Sequence, residues 1–239
     1  MIIATEAIVI SAIKYGDTSL IVKCLTAAGG IKTYILKGIL ASRKGTLKAA
    51  HFQPLTQLDI VAIHKSKSNL HHLREAKVSY ACKTIYTDPK KNAIALFLSE
   101  VLNHALYGEE EDKNMFQYIK EALQWLDTHK EIANFHILFL LNLTKYLGFY
   151  PDTNNQDYPY FDLQEGKFIP SPSLNPVIKG ENTAIFKAFL GMNFDAVFTI
   201  KISKEDRQEL LYILISYFQL HLYGFKNPKS IGVLHQVFS

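Results

Sequence analysis

The spacing of apolar residues changes once along the chain, near residue 80. Before that point the apolar runs are short, rich in β-branched residues and separated by turn residues at 15–17 and 28–30. These features predict strands rather than helices. The predicted strands span residues 2–13, 19–26, 31–36 and 55–63. Short strands joined by tight turns predict a small β-barrel of about five strands.

From Ala76 onward the apolar residues recur with the period of an α-helix. Apolar stripes at 94–105 and 116–126 each predict a helix with one buried face. The segment 132–147 is apolar on nearly all sides and predicts a central buried helix. Residues 203–223 open with Ser-Lys-Glu-Asp, an approximate capping box. Residues 150–180 hold five prolines and predict an irregular excursion with at most a small hairpin.

The two patterns predict an α+β protein with two domains. Residues 1–80 form the predicted barrel, and residues 81–239 form a predominantly helical domain with an irregular insertion at about 150–180. Aromatic residues support this boundary, because only four of the 29 Phe, Trp and Tyr residues lie in the first 80. A chain of 239 residues is long enough for two such cores.

The overall composition excludes several classes of protein. With 48% hydrophobic and 20% charged residues, the chain is typical of a folded globular protein rather than a disordered or collagen-like one. No apolar segment approaches the roughly 20 residues that cross a bilayer. A basic and apolar secretory signal is missing from the first residues, and only two cysteines occur. These observations predict a protein of the reducing cytoplasm.

Positive charge is concentrated in the predicted barrel. The first 80 residues carry eleven Lys or Arg against four Asp or Glu, a net +7, whereas the remainder carries a net −3. No carboxylate occurs between Asp17 and Asp59. Such an imbalance attracts polyanions, and it predicts contacts with nucleic-acid phosphates rather than with base edges. The candidate DNA-binding residues are Lys23, Lys32, Lys37, Arg43, Lys44, Lys48, Lys65, Lys67 and Arg74.

Aromatic stacking platforms are scarce in this region. Only Tyr15, Tyr34 and Phe52 could stack on bases, and each is equally well explained as part of the barrel core. The sequence therefore favours binding that is dominated by phosphate charge and tolerant of base sequence. A solvated basic face without any partner remains the alternative.

No motif of a common enzyme or cofactor site is present. The phosphate-binding, dinucleotide-binding, nucleophile-elbow and zinc-protease motifs are all missing. His64, His71 and His72 cluster in sequence, but no Cys or carboxylate stands beside them at ligand spacing. Cys24 in a predicted strand and Cys82 in a predicted helix are best explained as isolated core residues. We therefore expect no catalytic residues, no metal and no cofactor.

Several short motifs resemble those of the DNA repair protein RecO family. They are EAIV at 6–9, YGDTSLIV at 15–22, GG at 29–30, KG at 37–38, QPL at 53–55, YLGFYP at 146–151 and LHLYG at 220–224. The resemblance spans nearly the whole chain. It implies an OB-fold barrel followed by a helical domain, and no catalytic residues. It also implies a bacterial, nucleoid-associated mediator of recombinational repair.

The resemblance also implies specific activities and partners. Members of this family bind single- and double-stranded DNA and anneal complementary strands. They act with RecR to load RecA, an indirect partner, onto DNA coated by single-stranded DNA-binding protein, whose acidic C-terminal tail they bind. Many members carry two C-x-x-C pairs that hold zinc, but residues 152–180 contain no Cys here. The zinc site is therefore not carried over, and the turns must be held by packing of residues such as Tyr158, Tyr160, Phe161 and Phe168.

The tail site has only a weak candidate in the sequence. An acidic tail requires an apolar surface with a cation at its edge, and the second helical stripe offers Phe116, Ile119, Lys120 and Leu123. Two alternatives to the mediator remain open at this stage. One is a protein-interaction adaptor with an accessory basic face, and the other is an unrecognised nuclease or RNA-binding enzyme.

Overall fold

The computed structural model describes residues 1–41, 47–64, 68–108 and 110–238. The chain divides into two compact units. The barrel unit comprises Met1–Thr128 with Pro228–Ser230, and the helical unit comprises His129–Asn227 with Ile231–Ser239. The domain boundary near residue 80 stays a prediction. It follows the change from strands to helices, whereas the barrel unit also includes the first two helices.

Five strands close the barrel. They are β1 (Ile2–Tyr15), β2 (Ser19–Thr26), β3 (Gly30–Leu36), β4 (Gln57–Ile63) and β5 (Leu70–Tyr80). The strand order around the barrel is β1-β2-β3-β5-β4, and β3 pairs with β5 in parallel while the other pairs are antiparallel. A small five-stranded barrel of this kind is the OB-fold. The predicted fold class is therefore confirmed.

Alternation along each strand builds the barrel core. Ala7 and Val9 on β1 face inward with Val22 and Cys24 on β2, as the period of two requires. Strand β1 pairs with β4 over residues 2–8 and with β2 over residues 7–15, and a bulge between Val9 and Ser11 interrupts the pairing with β2. The remaining core residues are Tyr34, Leu36, Ile39, Phe52, Leu58, Ile60 and Ala62.

The sequence pattern misplaced the end of the barrel. Helical periodicity was expected from Ala76, but β5 continues to Tyr80 and the first helix begins at Pro89. A register shift between Val61 and Ala62 of β4 breaks the alternation of β5, which hides its strand character. Cys82 consequently lies in the connection after β5, and its predicted placement in a helix is wrong.

Two helices complete the barrel unit. Helix α1 (Pro89–Ala105) is capped at its N-terminus by Asp88, whose side chain accepts hydrogen bonds from the backbone N–H groups of Lys90 and Lys91. Helix α2 (Lys113–Thr128) buries one face, which includes Phe116 and Leu126. Both helices match the predicted apolar stripes. A stripe with the 3.6-residue period of a helix can be recognised in the sequence whichever surface it packs against.

The helical unit contains one helix that is buried along most of its length. Helix α3 (Phe135–Leu147) is buried from Phe135 to Thr144 and ends at Gly148, whose φ of 84° is left-handed. This confirms the predicted central helix. Helix α5 (Lys204–His221) starts with the predicted capping box of Ser203 and Asp206. The unit also contains α4 (Glu181–Phe189) and α6 (Ile231–Val237).

A small sheet stands where an irregular excursion was expected. Strands β6 (Tyr160–Asp162), β7 (Lys167–Ile169) and β8 (Val177–Ile178) pair in the order β7-β6-β8. The β6–β7 pair is the small hairpin that the sequence allowed, and β8 adds a third strand. Among the described residues, no helix combines the length and the apolar character needed to cross a lipid bilayer.

Candidate nucleic-acid interface

An apolar row crosses the outer face of the barrel. Ile13 of β1 pairs with Ile21 of β2, which in turn pairs with Ile35 of β3. The preceding row, which includes Val22 and Tyr34, faces the core, so these three isoleucines face outward. Ile13 is 59% exposed. A strand surface that is apolar on both sides is unusual for an antiparallel sheet with a solvated face, so this row is a candidate binding surface.

Cations and one aromatic ring border this apolar row. Tyr15 is 56% exposed at the end of β1, and Lys37 is exposed directly after β3. Ile35 pairs with His72 of β5, and Lys37 and the exposed Arg74 each follow this pair by two residues, where the parallel pairing has ended. Leu40 is 42% exposed. We name Tyr15, Lys37, Leu40 and Arg74 the basic rim.

Backbone hydrogen bonds hold the basic rim together. Leu40 N–H donates to the Thr18 carbonyl oxygen at 2.9 Å, and Gly38 N–H donates to Ser19 Oγ at 3.4 Å. The chain that leaves β3 is therefore fixed beside the β1–β2 turn. This connection brings Lys37 and Leu40 near Tyr15, although 22 residues separate Lys37 from Tyr15 in sequence. Cations beside an exposed ring and an apolar row can bind phosphates and stack bases at the same time.

Lys23 does not belong to this surface. Its Nζ donates to the carbonyl oxygens of Asn103 and Leu106 at 2.9 and 3.1 Å, at the C-terminal end of α1. Those carbonyls have no partner within the helix, so the ammonium group caps them. Burial lowers the pKa of Lys23. Because this side chain already serves the interior of the barrel unit, we remove it from the proposed phosphate contacts.

The other predicted cations are distributed less compactly. Lys32 lies on β3, five residues before Lys37, which corresponds to about 17 Å along an extended chain. Its side chain passes close to Gly29, since a Cβ built on Gly29 would lie 3.3 Å from the Lys32 Cε. Lys48 is exposed just before a short 3₁₀ turn at Ala49–Phe52. Arg43, Lys44, Lys65 and Lys67 lie outside the described residues. All of these remain predictions.

Burial shows which of Tyr15, Tyr34 and Phe52 belong to the barrel core and which could stack on bases. Tyr34 and Phe52 are 1% and 2% exposed, so both belong to the barrel core. Tyr15 alone of the three presents its ring to solvent. Sequence reasoning overlooked the isoleucine row. The available signal was the uninterrupted apolar character of residues 20–22 and 34–36, where strict alternation would have placed a polar residue in the middle.

A groove of opposite charge lies elsewhere on the barrel. It has a volume of about 710 Å³ and is lined by residues of β1, β4 and β5 that include Glu6, Asp59, Glu75 and Lys77. Glu6 and Asp59 are register partners on neighbouring strands. Carboxylates repel phosphates, so this acidic groove disfavours DNA. The barrel surface is therefore polarised, and the basic rim is the face that suits a nucleic acid.

The predicted protein-binding residues on α2 face the interior. Phe116, Ile119 and Leu123 are at most 3% exposed. Lys120 forms an ion pair with Glu6 of β1, and its backbone carbonyl accepts a hydrogen bond from Gln57 Nε2 at 3.1 Å. This stripe attaches α2 to the barrel. It presents no apolar surface to a peptide, because an apolar stripe in a sequence does not say which surface covers it.

Another pocket, which is positively charged, occurs in the helical unit. Its eight lining residues are His136, Lys204, Arg207, Gln208, Leu211, Leu234, His235 and Phe238, and none of them is a carboxylate. Arg207 is oriented by Asn134, whose Oδ1 accepts from Arg207 Nε at 2.9 Å. Burial, followed by the charges of Arg207 and His235, lowers the pKa of His136 to about 3. The positive charge at pH 7 therefore comes from Lys204 and Arg207.

Groups suited to metal binding or thiol chemistry are not evident in the described part of the chain. No group of three or more His, Cys, Asp or Glu side chains there could hold a metal ion. Both cysteines are free, and burial raises the pKa of Cys24 to about 12 and of Cys82 to about 11. Thiols in that state are poor nucleophiles and poor metal ligands at neutral pH.

Comparison with known proteins agrees with these features. The family model for the N-terminal part of recombination protein O matches residues 1–81, and the model for its C-terminal part matches residues 86–230. The chain is 46% identical to the DNA repair protein RecO of Christiangramia forsetii over 238 residues, and 46% identical to that of Flavobacterium psychrophilum over 239 residues. Both alignments cover all of this chain and all of the relative.

A more distant relative shows the same coverage. The chain is 30% identical to the DNA repair protein RecO of Porphyromonas gingivalis, again over the full length of both proteins. Its relatives are thus proteins of DNA repair and recombination. The OB-fold barrel, the helical unit and full-length similarity at this level of identity lead to one conclusion. The chain belongs to the RecO family of DNA repair proteins.

Proposed function

We propose that this chain is a mediator of recombinational DNA repair that binds single- and double-stranded DNA through the basic rim and the isoleucine row. The polarised barrel is the observation that supports this proposal. Exposed Tyr15, Lys37 and Arg74 border one apolar face, while the carboxylates of β1, β4 and β5 border another. DNA would therefore approach in one orientation, with its phosphates on the cations.

The proposed contacts leave the base edges free. Lys37 and Arg74 would bind phosphates, while Tyr15 and Ile13 would contact the flat faces of bases. A strand held by its backbone can still pair with a complementary strand, and the cations reduce repulsion between the two polyanions. This combination supports annealing without recognition of base sequence. We extend the proposal to loading of RecA together with RecR, in the bacterial cytoplasm at the nucleoid.

A salt series with matched variants tests the DNA surface. We expect the double variant Lys37→Ala, Arg74→Ala to reduce the log-log salt slope of single-strand binding by about 1.4, because each lost phosphate contact contributes roughly 0.7. Lys77→Ala is the control, since Lys77 stands on the same strand as Arg74 but lines the acidic groove. Equal slopes for the double variant and the wild-type protein would contradict the proposed surface.

The stacking role of Tyr15 is tested separately. We expect Tyr15→Ala to weaken single-strand binding about tenfold, because stacking of one base contributes roughly 1–3 kcal/mol. Duplex binding should change little, since paired bases are not available for stacking. Tyr107→Ala is a control, because Tyr107 is 67% exposed but is not part of the basic rim. An identical loss for both DNA forms would contradict stacking.

Annealing distinguishes the mediator from its alternatives. We expect the protein to accelerate annealing of complementary strands, both naked and coated by single-stranded DNA-binding protein. An adaptor with an accessory basic face would bind DNA weakly, with a shallow salt slope, and would not accelerate annealing. Cleavage of either strand in the presence of magnesium would instead indicate a nuclease.

We further propose that the pocket of the helical unit binds the acidic tail of the coat protein. Lys204 and Arg207 provide charge for carboxylates, and Leu211 of α5 provides an apolar floor. We expect Lys204→Glu to abolish measurable binding of a synthetic tail peptide while leaving naked-DNA binding unchanged. Glu is well tolerated near a helix N-terminus, where Lys204 lies. Lys201→Glu, an equal charge change at a nearby exposed residue outside the pocket, is the control.

A further inference from the structure

The pocket of the helical unit is occupied by a side chain of the same unit. Phe238 follows α6, and its ring centroid lies 5.8 Å from that of His136. Its backbone N–H donates to the Leu234 carbonyl oxygen at 3.2 Å, which continues the helical turn. Leu234 is 1% exposed, and His235 packs edge-on against Tyr212 with centroids 5.2 Å apart. One wall of the pocket is therefore formed by α6 and Phe238.

This wall leaves almost no free space. The cavity that remains is about 10 Å³, which is about enough for one water molecule. An aromatic or branched side chain of a peptide could not enter such a volume. The apolar part of the pocket can therefore receive a ligand only after Phe238 has moved.

We propose that α6 and Phe238 form a lid that competes with the acidic peptide for the pocket. This inference rests on the proposed tail site. Phe238 lines the apolar part of the pocket, and its side chain offers no charge to Lys204 and Arg207. An acidic peptide with an apolar side chain can replace the packing of Phe238 and also pair with both cations. The peptide thus has an electrostatic advantage over the lid.

The lid is built to open at low cost. Helix α6 has only seven residues, and helices of that length depend on packing rather than on their own hydrogen bonds. In α6, Leu234 alone is fully buried. Opening the lid therefore breaks the packing of Leu234 and the aromatic contacts of His235 with Tyr212 and of Phe238 with His136. The apparent affinity for a peptide equals the intrinsic affinity reduced by the fraction of molecules with an open lid. Removing the Phe238 ring should raise that fraction.

The test is titration of the full chain with a synthetic peptide of the coat protein's acidic tail. We expect Phe238→Ala to bind the peptide about 3- to 10-fold more tightly than the wild-type protein, because the closed state loses its main contact. Val233→Ala is the matched control, because Val233 lies on the same helix, is 45% exposed and does not line the pocket. It should leave the affinity unchanged.

Hydrogen exchange reports on the lid directly. When the peptide binds to the wild-type protein, we expect amide exchange in residues 231–237 to become faster, because the segment is displaced. Slower exchange there would mean that the lid closes over the peptide, which would overturn competition. Unchanged or weaker peptide binding by Phe238→Ala would also overturn it.

These outcomes separate the lid from the site beneath it. If Lys204→Glu weakens binding but Phe238→Ala does not strengthen it, the tail site stands and the lid is wrong. If the peptide binds with equal affinity to the wild-type protein and to Lys204→Glu, the tail site is wrong, and the lid falls with it. Tighter binding by Phe238→Ala together with faster exchange supports both.

Discussion

One buried polar residue, Asp127, organises the connection between β5 and α1. The carboxylate of Asp127, only 2% exposed, accepts hydrogen bonds from the backbone N–H groups of Lys83, Thr84 and Ile85 and from the hydroxyl of Tyr80. Lys91 Nζ donates to the Asp127 backbone carbonyl at 2.7 Å. One side chain of α2 thus holds the segment that leaves the barrel.

Replacing this carboxylate should destabilise the barrel unit. Asp127→Asn keeps the size of the side chain but turns one acceptor into a donor that faces backbone N–H groups. We expect a loss of about 2–4 kcal/mol of unfolding free energy, because hydrogen bonds to a buried charge are strong and an unpaired partner adds a penalty. Chemical denaturation measures this loss. Asp112 is half-exposed just before the same helix and accepts a hydrogen bond from Met115 N–H. Asp112→Asn should cost much less, because Asn caps a helix about as well as Asp.

The same residue predicts sensitivity to acid. Burial alone would raise the pKa of Asp127, but the hydrogen bonds from Lys83, Thr84, Ile85 and Tyr80 outweigh it and lower the pKa to about 2. A lowered folded-state pKa stabilises the protein above the unfolded pKa and loses that effect as pH falls. We expect the wild-type protein to lose stability between about pH 4 and pH 2. Asp127→Asn should lose less over the same range, and parallel pH curves would contradict this assignment.

Gly166 illustrates how one backbone position limits substitution. Its φ of +65° is left-handed, and an added Cβ would lie 2.8 Å from the hydroxyl oxygen of Tyr217. That hydroxyl donates to the Phe149 carbonyl oxygen at 2.8 Å, and Tyr217 is 1% exposed, so it cannot move easily.

We expect Gly166→Ala to destabilise the helical unit more than Gly148→Ala does. Both changes incur roughly 1–2 kcal/mol for a left-handed alanine, but no atom lies within 4 Å of an added Cβ at Gly148. The steric clash at Gly166 should add about 1–3 kcal/mol. Thermal denaturation of the two variants measures the difference, and equal losses would show that Tyr217 relaxes freely.

At the scale of elements, the small sheet of the helical unit shows what holds the excursion at 150–180 together. Phe161 of β6 packs against Phe168 of β7 with centroids 5.0 Å apart, and against Phe186 of α4 at 4.8 Å. This agrees with the expected packing of aromatic residues. The carboxylate of Asp162 adds a polar centre that the sequence did not reveal. It accepts from Gln164 N–H, Glu165 N–H, Ser173 Oγ and Asn175 Nδ2.

Asp162 should therefore be essential for the sheet. We expect Asp162→Ala to destabilise the helical unit by about 2 kcal/mol or more, because four donors lose a buried acceptor. Limited proteolysis should cut within residues 150–180 earlier in this variant than in the wild-type protein. Asp157→Ala, an exposed acid in the same excursion, is the control. Equal cleavage rates in the two variants would show that the aromatic packing suffices.

Element boundaries show which local signals are reliable. Strand β2, the end of helix α3 and the start of α5 match their predicted positions, because flanking turn residues, a glycine stop and a capping box are each complete within a few residues. Helix α3 begins at Phe135, three residues later than predicted. Strand β5 was not predicted, since its alternation is interrupted by the irregular pairing with β4. The third strand of the small sheet was also missed. A two-residue strand such as β8 carries no period of its own.

At the scale of the whole molecule, we expect stability without a bound metal. The described residues contain no cluster of metal ligands, and hydrogen bonds to Asp162 with aromatic packing organise residues 150–180. Protein purified without added zinc should contain well below one zinc per chain. Dialysis against a chelator should leave the melting temperature unchanged. A stoichiometric zinc whose removal lowers the melting temperature would contradict this expectation.

Charge on the scale of the barrel was visible in the sequence, but its arrangement was not. The net +7 of the first 80 residues predicted a polyanion partner, because the sum of charges does not depend on folding. It did not distinguish Lys23, which caps α1, from the exposed Lys37, which follows the segment of β3 that pairs in parallel with β5. Contacts between residues far apart in sequence leave no local pattern.

The fold class, the positions of most elements and the family resemblance were all available in the amino-acid order, because periodicity, turn residues and short motifs are local properties of the chain. Tertiary structure decided which surfaces those elements cover. It turned the apolar stripe of α2, with Phe116 and Ile119, into packing against the barrel, and it brought Lys204, Arg207 and Phe238 together in one pocket. An apolar or charged side chain is compatible with a core, a cap or a binding site. Only the neighbours that folding places around it determine which of these it becomes.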